Sequence, residues 1–130
     1  MRLISDDVLA IATIYQEARG EPYVGKVGVG EVIRERTDRR FFSRGTVAST
    51  VLWPMQFSGW NQHDPNRTPS VLIDDQDPIV QECMKAWEEA KAGSVTVNGA
   101  VLYCNPAEVS PGWALRARLV AEIGHHRFYV

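Results

Sequence analysis

Apolar residues recur at helical spacing near the start of the chain, and this periodicity constrains the fold more than any other feature. The apolar positions are Val8, Leu9, Ile11, Ala12, Ile14, Tyr15 and Ala18. Ser5 is a suitable N-cap, the acidic pair Asp6 and Asp7 favours the first turn, and Gly20 is suited to end the helix. The pattern predicts an amphipathic helix over about 6–18 that buries one face.

The rest of the chain predicts more helix than strand. Apolar stripes predict three further helices, at about 22–36, 46–52 and 78–92. In the last of these, Ile79 and Trp87 are expected in the core. The segment Trp53–Asp75 is rich in Pro, Asn, Gly and Asp and predicts a long loop. Runs of β-type residues at Val95–Cys104 and Leu119–Tyr129 predict two or three short strands, with a helical start to the second run left open. The expected fold class is a mainly helical α+β domain.

The composition fits a single domain over residues 1–130 and argues against two kinds of partner. Hydrophobic residues make up 45% of the chain and charged residues 23%, which is enough apolar material for one core. The formal net charge of −2 gives no general attraction to nucleic acid. No segment approaches the ~20 consecutive apolar residues that span a bilayer, so stable membrane insertion is not expected. We expect a monomer.

Two smaller patterns are predicted to be structural. Cys83 and Cys104 are too few for a disulfide framework and match no metal-binding spacing, so two buried, reduced thiols are expected. A local basic patch is expected to be a solvated turn. It consists of Arg36, Arg39, Arg40 and Arg44.

Glu17 is the candidate for acid/base chemistry because it falls at the C-terminal end of the first predicted helix. The negative end of the helix dipole disfavours a carboxylate there, and aromatic neighbours would add desolvation. The candidate aromatic neighbours are Tyr15, Trp60 and Tyr103. Both effects raise the pKa of Glu17, as a general acid near neutral pH requires. The alternative is a surface glutamate that is ion-paired with Arg19 or Lys26.

Four segments carry a resemblance to a known family. Tyr15–Tyr23 (YQEARGEPY) resembles the opening motif of the SleB-type cell wall hydrolases, the Hydrolase_2 family. The later blocks of that family resemble Gln56–Trp60, Ala100–Pro106 and Ile123–Tyr129. The blocks occur in order and extend over nearly the whole chain.

The resemblance implies a lysozyme-like, lytic transglycosylase-like fold. It also implies cleavage of bacterial peptidoglycan between N-acetylmuramic acid and N-acetylglucosamine, without a cofactor or a metal. The catalytic glutamate of the family falls on Glu17, and catalytic roles are also implied for Ser58 and Tyr103. The substrate-binding residues implied are Gln56, Phe57, Trp60, Asn105 and His126.

Two reaction types remain open. Glu17 alone suffices for a lytic transglycosylase, in which it protonates the glycosidic oxygen and then deprotonates the muramyl C6 hydroxyl to close a 1,6-anhydro ring. We favour this route because no partner acid stands out. A hydrolytic muramidase would activate water instead, with Glu21, Asp64 or Glu31 as candidate helpers. Glu31 and Glu35 depart from the residues common at these positions in the family, which keeps a second carboxylate possible.

Other classes of function compete with a glycosidase. His63 and Asp64 combined with His125 and His126 would make a metal site, but their spacing fits no zinc motif. A non-catalytic peptidoglycan-binding module or virion structural module would retain the groove, although the complete motif around Glu17 argues against it.

The N-terminal residues bear on where the protein acts. Acidic residues arrive before any apolar stretch typical of a secretory signal. Together with the resemblance, this leads us to expect a phage endolysin. Such a protein would be made in the host cytoplasm and reach the cell wall after release through a pore.

Overall fold

The structure is a computed structural model that describes residues 4–61, 64–65 and 73–130. Its helices are α1 (Asp6–Ala18), α2 (Tyr23–Arg39), α3 (Val47–Val51) and α4 (Pro78–Lys91). Its strands are β1 (Leu102–Cys104), β2 (Leu119–Ile123) and β3 (His126–Tyr129), and short 3-10 turns lie at Ser58–Trp60 and Gly112–Leu115. The predicted α+β, mainly helical class is confirmed. Across the described ranges, no helix combines the length and apolarity needed to traverse a bilayer.

The predicted helix boundaries hold where a capping side chain marks them. The Ser5 side chain accepts a hydrogen bond from the Val8 backbone N–H at 3.2 Å, and Asp77 caps α4 in the same way. Helix α2 instead extends beyond the predicted end near Arg36, to Arg39. Its last turn is polar, so apolar periodicity could not show it, and it ends where Arg40 adopts a left-handed φ of 54°.

Helices α1, α2 and α4 enclose the main core. Its buried members are Leu9, Ala10, Ile14, Ala18, Val29, Ile33, Val51, Phe57, Cys83, Trp87 and Ala90. Trp87 is buried as predicted, but the prediction for Ile79 is wrong, since its side chain is 38% exposed. Its neighbour Val80 is buried instead, because Val80, Cys83 and Trp87 follow one helical face. Both cysteines are buried free thiols, as expected.

A three-stranded antiparallel sheet in the order β1–β3–β2 packs against α2. Phe128 of β3 is fully buried and lies directly under Gly28, where a Cβ would come within 3.0 Å of the Phe128 ring. Much of the run Val95–Cys104 is not strand: left-handed residues Asn98 and Gly99 form a turn, and pairing begins at Leu102. The second run is a β-hairpin from its first residue, without a helical start.

Candidate active site

A cleft of about 850 Å³ opens where the end of α1, the 55–58 segment, β1 and the β2–β3 turn come together. Its walls are polar and aromatic, with few aliphatic side chains. They are formed by Gln16, Glu17, Glu21, Met55, Gln56, Ser58, Tyr103, Cys104, Asn105, Glu108, Val109, Pro111, Trp113, His125 and His126.

Glu17 comes from the last turn of α1 and is half-buried in this cleft. Burial raises the pKa of its carboxyl group, and the charge of Asp64 raises it further. The Tyr103 hydroxyl donates a hydrogen bond to Glu17 Oε1 at 2.8 Å, which opposes this shift, but the pKa remains raised overall. Glu17 is therefore not a surface residue. Lys26, one of its suggested partners, is itself buried and pairs with Glu82.

Arg36 lies beneath the site, contrary to its predicted place in a solvated turn. Its side chain is 4% exposed, its Nε donates to the Val101 carbonyl at 2.6 Å, and its guanidinium lies 4.9 Å from the centre of the Phe57 ring. Its positive charge lowers the pKa of Glu17. Helical spacing in the sequence indicates this burial, because position 36 continues the inward face of α2 that Val29 and Ile33 occupy.

Most of the predicted site residues line the cleft. Tyr103 projects from β1, and its ring lies 5.0 Å from the ring of His126, centre to centre. The other predicted residues in the cleft wall are Gln56, Ser58 and Asn105.

Phe57 and Trp60 need correction, because neither belongs to the cleft wall. Phe57 is 1% exposed and belongs to the main core. Trp60 packs against that core, and its indole N–H donates to Thr13 Oγ1 at 2.8 Å. Exposure alternates along the 56–59 segment, so Phe57 points inward while Gln56 and Ser58 face the cleft.

The rim of the cleft carries a Glu–His cluster at the β2–β3 turn. Glu21 accepts hydrogen bonds from the His125 backbone N–H and from His125 Nδ1, both at 2.7 Å. These bonds outweigh the effect of burial, so the pKa of Glu21 is lowered, while its carboxylate raises the pKa of His125. Burial lowers the pKa of His126, which favours a neutral ring. His125 was considered only as a ligand of the alternative metal site, although it is part of the closing block.

The other suggested helper carboxylates lie in different surroundings. Asp64 lies close enough for its charge to raise the pKa of Glu17. Glu31 is excluded as a helper, because it is buried outside the cleft and accepts hydrogen bonds from the backbone of Thr96 and Val97. Glu35 forms ion pairs with two arginines of its own helix.

No group of three metal-ligating side chains occurs among the residues that the structure describes. His63, which the metal hypothesis requires, lies outside the described residues.

A half-buried carboxyl group with a raised pKa, set among hydroxyl, amide and aromatic groups, is the arrangement expected of an acid/base site for a polar substrate. The chain belongs to the cell wall hydrolase family: the model of Hydrolase_2, described as Cell Wall Hydrolase, matches residues 20–129. The match begins three residues after Glu17, so it does not itself include this residue.

Relatives of known name are spore cortex-lytic enzymes. The enzyme of Halalkalibacterium halodurans is 30% identical over 124 residues, which are 95% of this chain and 34% of the relative. The enzyme of Bacillus subtilis is 27% identical over 129 residues, 95% of this chain and 37% of the relative. The chain thus spans less than half the length of these relatives.

Two solved structures share the fold across nearly their whole lengths. The catalytic domain of the germination-specific lytic transglycosylase SleB from Bacillus anthracis superposes with a TM-score of 0.78 at 24% identity, covering 100% of this chain and 99% of that one. The catalytic domain of Bacillus cereus SleB gives 0.77 at 25% identity, covering 96% and 90%. These matches confirm the lysozyme-like fold.

Proposed function

We propose that the protein cleaves peptidoglycan glycan strands between N-acetylmuramic acid and N-acetylglucosamine, as a lytic transglycosylase with Glu17 as its general acid and base. The observation that carries this proposal is the Glu17 carboxyl group in the cleft, because burial raises its pKa and so favours the protonated form that a general acid needs. Relatives that are named spore cortex-lytic enzymes support it.

The reaction needs one carboxyl group. Protonated Glu17 donates its proton to the glycosidic oxygen as the bond to muramyl C1 breaks, which leaves an oxocarbenium-like centre. The resulting carboxylate then accepts the proton of the muramyl C6 hydroxyl while O6 bonds to C1. Glu17 regains its proton and no water is consumed. The Tyr103 hydroxyl stabilises the intermediate carboxylate, because a hydrogen bond to an ionised acceptor is stronger than one to a neutral acceptor.

The walls of the cleft suit a sugar chain. Gln56 and Asn105 supply amides for hydroxyl groups, and Trp113, packed edge to face on Tyr129 at 5.2 Å, supplies an aromatic surface. These groups lie on different elements around Glu17. A glycan strand that contacts the amides and the aromatic surface would therefore pass the Glu17 carboxyl group.

A hydrolytic muramidase is the second candidate, and Asp64 favours it. A carboxylate close enough to raise the pKa of Glu17 is also placed to assist an attacking water or to stabilise the oxocarbenium-like centre. In that reaction, water supplies the new oxygen at muramyl C1.

Mass spectrometry of soluble products from purified peptidoglycan, digested in ¹⁸O-labelled water, separates the two reactions. The proposal predicts 1,6-anhydro muramyl ends without label from the wild type, from Asp64→Asn and from Asp75→Asn, a matched change outside the cleft. Labelled reducing ends on muramic acid, lost in Asp64→Asn alone, would establish the muramidase instead. Reducing ends on N-acetylglucosamine would mean that a different bond is cleaved.

The role in host lysis by a phage, with synthesis in the cytoplasm and later access to the wall, stays a prediction. Expression in a bacterial host with and without a holin-type pore protein tests it. Lysis that depends on the pore is the expected result, and lysis without the pore would contradict it.

A further inference from the structure

Among the described residues, the buried side-chain atoms without a hydrogen-bond partner converge on the cleft. They are Gln16 Oε1, Gln16 Nε2 and His126 Nδ1. Both residues line the cleft: Gln16 precedes Glu17 in α1, and His126 packs against Tyr103. Burying a polar group without a partner is costly, and such groups are rare in folded proteins. Their clustering at one cleft indicates that a ligand supplies the missing partners.

Gln16 shows this most clearly, because its whole amide group lacks a partner. The residue is 9% exposed, and its amide packs against Gly59 so closely that a Cβ there would collide with the amide oxygen. The glycine thus makes room for the amide. The last torsion of a glutamine side chain is soft, so the amide can turn from Gly59 toward the cleft whose wall Gln16 already forms.

The chemistry of the amide defines its complement. Nε2 donates hydrogen bonds and Oε1 accepts them, so a matching ligand needs an acceptor and a donor side by side. In N-acetylglucosamine the carbonyl of the 2-acetamido group lies beside the free 3-hydroxyl. In N-acetylmuramic acid the 3-oxygen is an ether and has no proton to donate. Of these two sugars, only N-acetylglucosamine offers a 3-hydroxyl donor beside the acetamido carbonyl.

We propose that Gln16 determines specificity in the N-acetylglucosamine subsite beside Glu17, with Nε2 donating to the acetamido carbonyl and Oε1 accepting from the 3-hydroxyl. This inference rests on the proposed function and extends it. When N-acetylglucosamine is held on one side of Glu17, the position of the glycan strand in the cleft is fixed. This determines which glycosidic bond lies beside the Glu17 carboxyl group.

Binding of two glycan strands tests the assignment. One strand is fully N-acetylated, and in the other the N-acetylglucosamine residues have been enzymatically de-N-acetylated. Dissociation constants are measured in the Glu17→Gln background, so the result does not depend on catalysis. Gln16→Met, which keeps the length of the side chain without its hydrogen bonds, should weaken binding of the acetylated strand by about tenfold, as expected for two neutral hydrogen bonds. Binding of the de-N-acetylated strand should change less.

Two further variants separate recognition from structure. Gln81→Met, the same change on an exposed face of α4, should leave both dissociation constants unchanged. Gly59→Ala keeps the amide and displaces it away from position 59, the direction in which it must turn to reach the cleft, so this variant should keep the preference for the acetylated strand. The ammonium groups of the de-N-acetylated strand face the same cleft carboxylates in each protein. The ratio of the two dissociation constants, compared between proteins, therefore reports the contribution of the Gln16 amide.

Thermal unfolding supplies a second readout. Gln16→Met should unfold at the same or a higher temperature, because it removes an unpartnered buried amide. An unchanged preference in Gln16→Met, or equal weakening for both strands with a lowered unfolding temperature, would overturn the assignment. Either result leaves the proposed function standing if the wild type still produces anhydro ends. Wild type without glycan cleavage would instead refute the proposed function.

Discussion

The pKa of Glu17 is set by neighbours that act in opposite directions. Burial and the charge of Asp64 favour the protonated acid, whereas the Tyr103 hydroxyl and the Arg36 charge favour the carboxylate. Acid/base catalysis by one residue needs both forms in succession, so neighbours that favour each form suit this role. Tyr103 is the neighbour whose contribution can be removed by deleting one atom.

Tyr103→Phe should shift the alkaline limb of the pH–activity profile to higher pH. Removing the hydrogen bond that lowers the pKa of Glu17 raises that pKa further, so the protonated acid persists to higher pH. The maximal rate should fall by about tenfold or more, because the carboxylate formed during the reaction loses a charge-assisted hydrogen bond. The measurement is kcat/KM on soluble glycan strands between about pH 4 and 9.

Tyr23→Phe is the matched control, since the Tyr23 hydroxyl bonds Glu89 outside the cleft. The alkaline limb of its pH–activity profile should lie at the same pH as in the wild type. A limb that moves to lower pH in Tyr103→Phe would contradict the role given to this hydroxyl.

At the residue scale, the sequence predicted the raised pKa of Glu17 but only part of its cause. Burial raises this pKa as expected, whereas Tyr103, one of the expected aromatic neighbours, lowers it through a hydrogen bond. Arg36 was missed because charged residues are rarely buried, and Gln16 because nothing in a sequence shows whether an amide has a partner. Phe57 and Trp60 were assigned to the groove because aromatic residues in a motif fit core and ligand roles equally well.

At the scale of elements, Glu31 links α2 by hydrogen bonds to the segment that precedes β1. Its carboxylate is 1% exposed and accepts hydrogen bonds from the backbone of Thr96 and Val97 and from the Ser94 hydroxyl. Glu31 therefore has a structural role that positions the strand from which Tyr103 projects.

Glu31→Ala should lower the free energy of unfolding by about 3 kcal/mol, because it leaves two backbone N–H groups without partners and opens a cavity. Glu35→Ala, in the same helix, should cost about 0–1 kcal/mol, since it removes ion pairs at the edge of the protein. Urea unfolding monitored by tryptophan fluorescence measures both values. Equal costs would contradict the anchoring role of Glu31.

Helices were more predictable than strands, for a physical reason. The helical stripes and caps of α1 and α4 are local signals, and their bounds agree with prediction to within a residue or two. Val97 and Ala100 are β-type or small residues that pack under α2 beside Phe128, and burial rather than strand pairing explains them. Pairing is set by distant partners, which a local pattern does not reveal.

At the scale of the whole molecule, the cleft lies where the helical part and the sheet meet, so its geometry depends on both. The agreement in fold with the SleB catalytic domains at 24–25% identity shows that this arrangement tolerates extensive sequence change. The resemblance in four sequence blocks was sufficient to predict the fold class. The convergence of these blocks on one cleft required the tertiary structure.

The reactivity of the Cys83 thiol measures whether the main core is closed. Its thiol is fully buried in the main core, and burial raises its pKa to about 12, so the reactive thiolate is absent near neutral pH. In a Cys104→Ser variant, we expect a thiol reagent at about pH 8 to label Cys83 only as the domain unfolds, with a rate that rises with urea. Labelling of the native protein at the rate of a small-molecule thiol would show that the core opens locally.

Glu17 is proposed as the acid that protonates the glycosidic oxygen. The most direct measurement is release of soluble fragments from purified peptidoglycan by wild type and by Glu17→Gln, with binding to the same insoluble peptidoglycan measured in parallel. We expect Glu17→Gln to bind like the wild type but to release fragments at least about 10²-fold more slowly, the contribution expected of a general acid. Release by Glu17→Gln within a few-fold of the wild type would contradict it, and binding without release by the wild type would identify a non-catalytic module.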